Sequence, residues 1–285
     1  MLDSPWGDLT VVADGLRHRT EPPREVGLTM IIDVGLGYAQ TLDLIESAGV
    51  YIDHWKLSFG TSVFFPRDVL RRKLDAIADR GILACPGGTL FEAAILQQKC
   101  RTYMHQARDL GFRAVEISTG TIRLPPFRKQ RAVECALEAG LIPILEVGRK
   151  DPEEQPTADQ LAEEALQGLE WGARWVVIEG RESGEGVGVF GKAGEVHHQD
   201  VETIAYKLGE QVNRLIWEAP LKAQQTALIR RFGNNVNLGN IEPERVLALE
   251  ALRAGLRYET LRPLADALQQ TGQWQPERTE PGDEG

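Results

Sequence analysis

"AVEISTGTIRLPPFRKQRAVECALEAGLIPILEVGRK", residues 114–150, reads as strand, polar turn, helix, glycine and strand again. "AVEIS" (114–118) and "IPILEV" (142–147) are short β-branched runs, and the segment between them has helical period and closes on Gly140. The same phrase recurs along the chain. Further runs are "LTMIID" (28–33), "DHWKLS" (53–58), "ILAC" (82–85), "WVVIE" (175–179), "LIWEA" (215–219) and "VNLGN" (236–240), which makes eight. Gly49, Gly81, Gly111, Gly172, Gly209, Gly233 and Gly255 close the other helical segments, where glycine accepts a left-handed conformation without a Cβ clash. Thr157 with Gln160 spells a capping box, and Pro66 and Pro243 suit helix starts.

Eight such units in 285 residues predict an α/β chain folded as a single (β/α)8 TIM barrel. A doubly wound open sheet is the main rival, but "DVGLGY" (33–38) is a poor dinucleotide fingerprint. The barrel is expected over residues 27–262, preceded by an N-terminal arm (1–26) and followed by a C-terminal tail (263–285). The last ten residues, "PERTEPGDEG", are acidic and lack aliphatic side chains, so this end reads as disordered.

The 42% hydrophobic and 26% charged content fits a chain that buries a sizeable core. A net charge of -10 argues against sequence-independent nucleic-acid binding, which needs a cationic surface. Anionic substrates must then be caught by local positive groups. Cys85, Cys100 and Cys135 have no ligand-like spacing, so buried thiols in a reducing cytoplasm are expected rather than disulfides or a thiolate zinc site. The N-terminus lacks a signal-peptide pattern and there is no apolar run of membrane-spanning length, so no membrane partner is expected.

Catalytic groups of such barrels sit at C-terminal strand ends. Here those positions carry Asp33, Lys56, Glu116, Glu146, Glu179 and Glu218. Converging carboxylates repel one another and lose hydration, so they require lysines, a hard metal or both. Oxygen-rich ligation without paired histidines points to Mg2+ over Zn2+, with Asp33, Glu116, Glu146, Glu179 and Glu218 as candidate ligands. Adjacent His197 and His198 would diverge, as on a surface loop, while His54 and Asp53 at the start of strand two read as structural. The loops after strands seven and eight place Lys222, Gln225, Gly239 and Asn240 where phosphate is commonly held in barrels. After strand six, Arg181 and Glu182 followed by Gly184, Gly186 and Gly188 read as a charged lid.

The runs "GLTMIIDVGLG", "DHWKLSFGTS", "PGGTLFE", "GFRAVEISTGT", "LEVGRKD", "VVIEGRESGEGVGVF", "WEAPLKAQQ" and "RFGNNVNLGNIEPERVLALEALRAGLR" together resemble the phosphosulfolactate synthase family of coenzyme M biosynthesis, over about residues 22–261. The resemblance implies a Mg2+-dependent barrel enzyme, a carbon-sulfur lyase, that adds sulfite to phosphoenolpyruvate to give (2R)-phospho-3-sulfolactate. It also implies that Lys150 is the general acid, with a pKa lowered by cationic surroundings. Lys56, Arg181 and Arg149 are then available for sulfite and carboxylate, with Glu182 beside them among the catalytic groups. A homo-oligomer, such as a trimer, is implied as well. The sequence departs from the family pattern at Val34, where a lysine is frequent, at Ser58-Phe59, where Gly-Trp is commoner, and at Leu221. Two alternatives stay open: a non-catalytic stress-associated barrel protein, and a lyase using another nucleophile or phospho-enol acid.

Overall fold

A computed structural model describes residues 19–276. Eight parallel strands form its centre: β1 (Thr29–Asp33), β2 (His54–Leu57), β3 (Leu83–Pro86), β4 (Ala114–Ile117), β5 (Ile142–Val147), β6 (Trp175–Ile178), β7 (Leu215–Glu218) and β8 (Leu238–Ile241). Each lies within or against a run expected to be a strand. The ladder order β3-β2-β1-β8-β7-β6-β5-β4 closes β1 on β8, so the sheet is a nearly closed TIM barrel. Among the described residues no ladder joins β3 to β4; instead the Glu116 carboxylate of β4 accepts from the Gly88 amide just after β3, at 2.8 Å.

The helices are α1 (Tyr38–Ala48), α2 (Arg67–Asp79), α3 (Gly88–Leu96), α4 (Cys100–Leu110), α5 (Pro126–Glu138), α6 (Ala158–Glu170), α7 (His198–Leu208), α8 (Lys222–Phe232), α9 (Val246–Arg253) and α10 (Tyr258–Gln270). The capping box forms at α6, where Thr157 and Gln160 exchange hydrogen bonds. Of the eight helix-closing glycines, Gly49 alone is right-handed, with φ -58°, because the chain tightens there into a 3-10 turn before β2. Helix α10 runs across the expected boundary at residue 262 into the segment read as tail. Most of the acidic "PERTEPGDEG" end and residues 1–18 of the arm lie outside the described residues.

Strand side chains alternate by two, and the barrel uses both faces. Outward-facing Ile31, Trp55, Leu57, Val115, Ile117, Leu145, Val176, Ile178 and Trp217 pack under the helices. Trp55 is fully buried, and truncation to alanine there would cost about 3–5 kcal/mol. Inward-facing Leu28, Met30, Cys85, Ala114, Ile144, Trp175, Val177 and Ile216 fill the lower interior. Each strand therefore presents its next inward position, two residues on, to the mouth. At the bottom the N-terminal segment is tied in: Arg24 donates to Val50 O and Asp53, and buried Arg253 donates to Val236 O and Leu28 O. Asp53 also accepts from Thr29 N at 2.8 Å, so it is structural, as expected. His54 is buried edge-on to Trp175, and burial lowers its pKa to about 4. No helix among the described residues is long and apolar enough to cross a membrane.

Candidate active site

The inward alternation of β4, β5, β6 and β7 brings Glu116, Glu146, Glu179 and Glu218 to the mouth, one strand apart and all nearly solvent-free. The register explains the convergence: Glu146 lies beside Val177 and Glu218 beside Gly239, all on the inner face. Lys56, one layer above His54 on β2, reaches across to Glu218 Oε1 at 2.6 Å and Glu116 Oε2 at 3.3 Å. Lys150, from the loop after β5, stands 3.1 Å from Glu146 Oε1 and 3.2 Å from Glu179 Oε2. The backbone supplies further donors, with Gly180 N on Glu218 Oε2 and Arg181 N on Glu179 Oε1. Close approach depends on missing side chains: a Cβ at Gly180 would fall 2.3 Å from Glu218 O, and one at Gly148 2.6 Å from Glu179 Cβ.

Four carboxylates here face two ammoniums, which would leave two negative charges unbalanced if all four were ionised. The titration pattern reflects that excess. Burial, against the pull of Lys56 and with the push of Glu146 and Glu218, raises Glu116 to about 7. Glu179 is raised well above the usual carboxylate range by burial and by Glu146 and Glu218. Glu146 is lowered: burial works against its charge, but Lys150 and Lys56 outweigh it. Burial alone would lower Lys150, yet Glu146 and Glu179 raise it, so the lowered pKa expected from cationic surroundings is corrected. The surroundings of Lys150 are anionic. Lys56 is raised for the same reason, with Glu116 and Glu218 overcoming desolvation.

A divalent cation would balance the excess charge. Glu116, Glu146 and Glu218 each offer an oxygen, all within 4.8 Å of one another. Glu116 Oε2 and Glu179 Oε2 accept no hydrogen bond and are answered only by ion-pair contacts, to Lys56 at 3.3 Å and Lys150 at 3.2 Å, which leaves both oxygens able to take a further cation. The donors are all hard oxygens, and Cys85 below them is held as a thiol by burial. The residues therefore fit a hard divalent ion.

The other expected site residues divide. Asp33 is not in the cluster: it lies beside Leu57, on the outward face of β1, and accepts from Trp55 Nε1 at 2.7 Å and Lys73 Nζ at 2.5 Å. Its second oxygen accepts from the Gly35 and Leu36 amides, so no lone pair faces the mouth. Arg149 spends its guanidinium on Thr119 O and Ile122 O. Lys222 pairs with Glu259 on the surface, Gln225 donates to Ala219 O, and Gly239 packs inward against Met30 and Ile216. Of the residues expected to hold phosphate, Asn240 alone lines the mouth cavity, and its amide donates to Arg181 O. Arg181 and Glu182 do line the cavity, on the loop after β6, and their own contact is a loose 3.9 Å. Gly184, Gly186 and Gly188 are left-handed, and Gly188 passes so close to Glu179 that a Cβ would meet its carbonyl oxygen at 2.0 Å. His197 sits at the start of α7, paired with Asp200 on the surface.

Sequence reasoning passed over Ser58, Gly87, Gly88 and Thr89, which line the cavity between β2 and β3, and Ser118, which donates to Glu146 at 2.5 Å. A signal was present: Ser58 and Ser118 stand two residues beyond Lys56 and Glu116, on the same inward face.

The family model described as (2R)-phospho-3-sulfolactate synthase (ComA) matches residues 17–259. A phosphosulfolactate synthase of Methanothermobacter thermautotrophicus is 39% identical over 245 residues, covering 85% of this chain and 94% of the relative. One from Bacillus subtilis is 37% identical, covering 85% and 95%. Protein HEAT-STRESS-ASSOCIATED 32 of Arabidopsis thaliana is 23% identical, covering 82% and 88%. Among solved structures, a 3-hexulose-6-phosphate synthase aligns with a TM-score of 0.51 at 16% identity, covering 80% of this chain and 98% of that one. The YdjI aldolase of Escherichia coli K12 aligns with a TM-score of 0.52 at 12% identity, covering 86% and 91%; these two show the barrel fold alone.

Proposed function

Because the chain belongs to the phosphosulfolactate synthase family, we propose that it is a lyase joining sulfite to phosphoenolpyruvate, with Mg2+ at Glu116, Glu146 and Glu218, to give (2R)-phospho-3-sulfolactate. The observation that carries this reading is the buried mouth cluster, four glutamates against two lysines, more carboxylates than its own ammoniums can balance once all are ionised. A site with no ligand has no use for such a costly arrangement, which sets aside the non-catalytic alternative.

The sulfur lone pair of sulfite forms a bond to the methylene carbon of the enol. The π electrons of the double bond move onto the neighbouring carbon and its carboxylate. A proton then joins that carbon, and the phosphate ester stays in place. Mg2+ on the three glutamates would supply charge stabilisation where the carboxylate gains electron density. Arg181, loosely engaged with Glu182, is the cation of the mouth best placed to receive an incoming anion. Lys56, gripped by Glu116 and Glu218, is held as a fixed positive charge in the floor of the cavity. Lys150 carries its proton at Nζ, kept there by Glu146 and Glu179. Glu146 would be shared with a bound ion, which would leave Glu179 as the carboxylate partner of Lys150 and would let Lys150 give up its proton more readily to carbon.

The test is consumption of the enol, followed by its ultraviolet absorbance, with sulfite present or absent and with Mg2+ or a chelator. Loss of absorbance that requires both sulfite and Mg2+ is expected. Consumption with another nucleophile but not with sulfite would move the assignment to a related lyase.

A further inference from the structure

Ser58 is 4% exposed, lines the mouth cavity, and its Oγ has no hydrogen-bond partner among the described residues. A buried, unanswered hydroxyl is costly unless something outside the chain answers it. Across from it α3 begins, and its N-terminal end opens into the same cavity through Gly87, Gly88 and Thr89. The first turn is stripped of side chains where it meets Ser58: a Cβ at Gly87 would lie 3.1 Å from Ser58 Cα, and one at Gly88 2.3 Å from Ser118 Cβ. Gly87 N is taken by Leu57 O, Gly88 N by Glu116 and Leu90 N by Gly87 O. That leaves the Thr89 amide as the open donor of the turn. Helix α3 has no side-chain cap at Gly87, and the Glu116 carboxylate on Gly88 N answers only part of its positive end, leaving Thr89 N open among the described residues.

We propose that Ser58 Oγ and the Thr89 amide, at the N-terminus of α3, form the subsite for the phosphate ester of the enol substrate. The assignment rests on the proposed function for the identity of the substrate. It places phosphate between β2 and β3, not at the β7 and β8 loops where Lys222, Gln225 and Gly239 turn away from the cavity. The chemistry suits a spectator group: a hydroxyl and a helix terminus hold a tetrahedral anion by hydrogen bonds and dipole, without a titrating partner. Lys56, the nearest cation of this half of the cavity, offsets the Glu116 charge that shares the turn. Sulfite is left to the opposite side, toward Arg181 and Lys150.

Amide chemical shifts test the subsite without relying on turnover. Inorganic phosphate, and separately sulfite, are titrated into the 15N-labelled full chain in Mg2+ buffer, with Ser58→Ala as the comparison. Phosphate should shift the Thr89 amide saturably, and Ser58→Ala should weaken the apparent affinity about tenfold while leaving distant amides unchanged, as loss of one hydrogen bond to a charged group requires. A Thr89 amide that ignores phosphate, or that answers sulfite alone, overturns the assignment. So does an affinity unchanged in Ser58→Ala. If the protein fails to join sulfite to the enol but phosphate still shifts Thr89 in a Ser58-dependent way, the functional reading fails and the phosphate subsite stands.

Discussion

Lys150 Nζ lies 3.1 Å from Glu146 Oε1, inside the cavity at the barrel mouth. The loop is fixed as well by its backbone, since Lys150 N donates to Gly120 O at 3.0 Å. Removing the amine should therefore leave the loop in place and take away only the proton donor. Lys150→Ala is expected to lower kcat by about 10²–10⁴-fold, the range for a general acid, with Mg2+ affinity retained. Steady-state kinetics and Mg2+ titration check this, and an unchanged kcat would remove Lys150 from its role.

Lys56 and Glu218 form a buried pair whose halves depend on each other. Lys56→Met leaves anionic partners uncompensated and should destabilise the protein by about 3–5 kcal/mol in chelator. Adding Glu218→Gln should restore part of that loss. Urea unfolding of the two single variants and the double variant gives the coupling. Strictly additive effects would mean that the two groups do not stabilise each other.

Asp33 and Lys73 predict the contrary pattern at a site that the strand-end position suggested for metal. Asp33→Asn breaks a buried pair and should lower the urea midpoint, yet leave Mg2+ affinity unchanged. Calorimetric titration decides it; a large loss of Mg2+ affinity in a folded Asp33→Asn variant would return Asp33 to the metal site.

His54 gives a pH prediction. Its folded pKa, lowered by burial to about 4, lies below the ordinary value of 6.5. The unfolded chain then binds more protons in between, so the stability from neutral His54 is complete above pH 6.5 and is lost as pH falls toward 4. The full loss is about 3 kcal/mol. Glu116, raised to about 7, acts with the opposite sign over a similar window, so the comparison must be between proteins that share it. Between pH 7.5 and 5, the change in stability of wild type should be less favourable than that of His54→Phe, which keeps the raised Glu116 and Glu179. Equal changes by denaturant unfolding would show that His54 does not titrate as described.

Much of this was legible in the chain. Strand identity was carried by β-branched runs and helix ends by glycine, because both signals are local. Glu116, Glu146, Glu179 and Glu218 were found because strand ends of a barrel converge whatever the helices do. Asp33 was misjudged by one residue of register: Ile32, paired with Lys56, faces inward, and its neighbour must face out. The alternation of Met30 and Ile32 against Ile31 and Asp33 held that information. The sign of the Lys150 shift was not legible, since it depends on which charges surround Nζ in space. Ser58 and Thr89 were missed because a small hydroxyl and a bare helix start carry no charge pattern.

The carboxylate-rich mouth is proposed to serve sulfite addition through a bound divalent ion. The most direct measurement is 31P NMR of the protein incubated with phosphoenolpyruvate, sulfite and Mg2+, repeated with chelator. The enol phosphate signal is expected to give way to a phosphate ester on saturated carbon, only when sulfite and Mg2+ are both present. An unchanged enol signal with folded, Mg2+-loaded protein, or the same product in chelator, would contradict it.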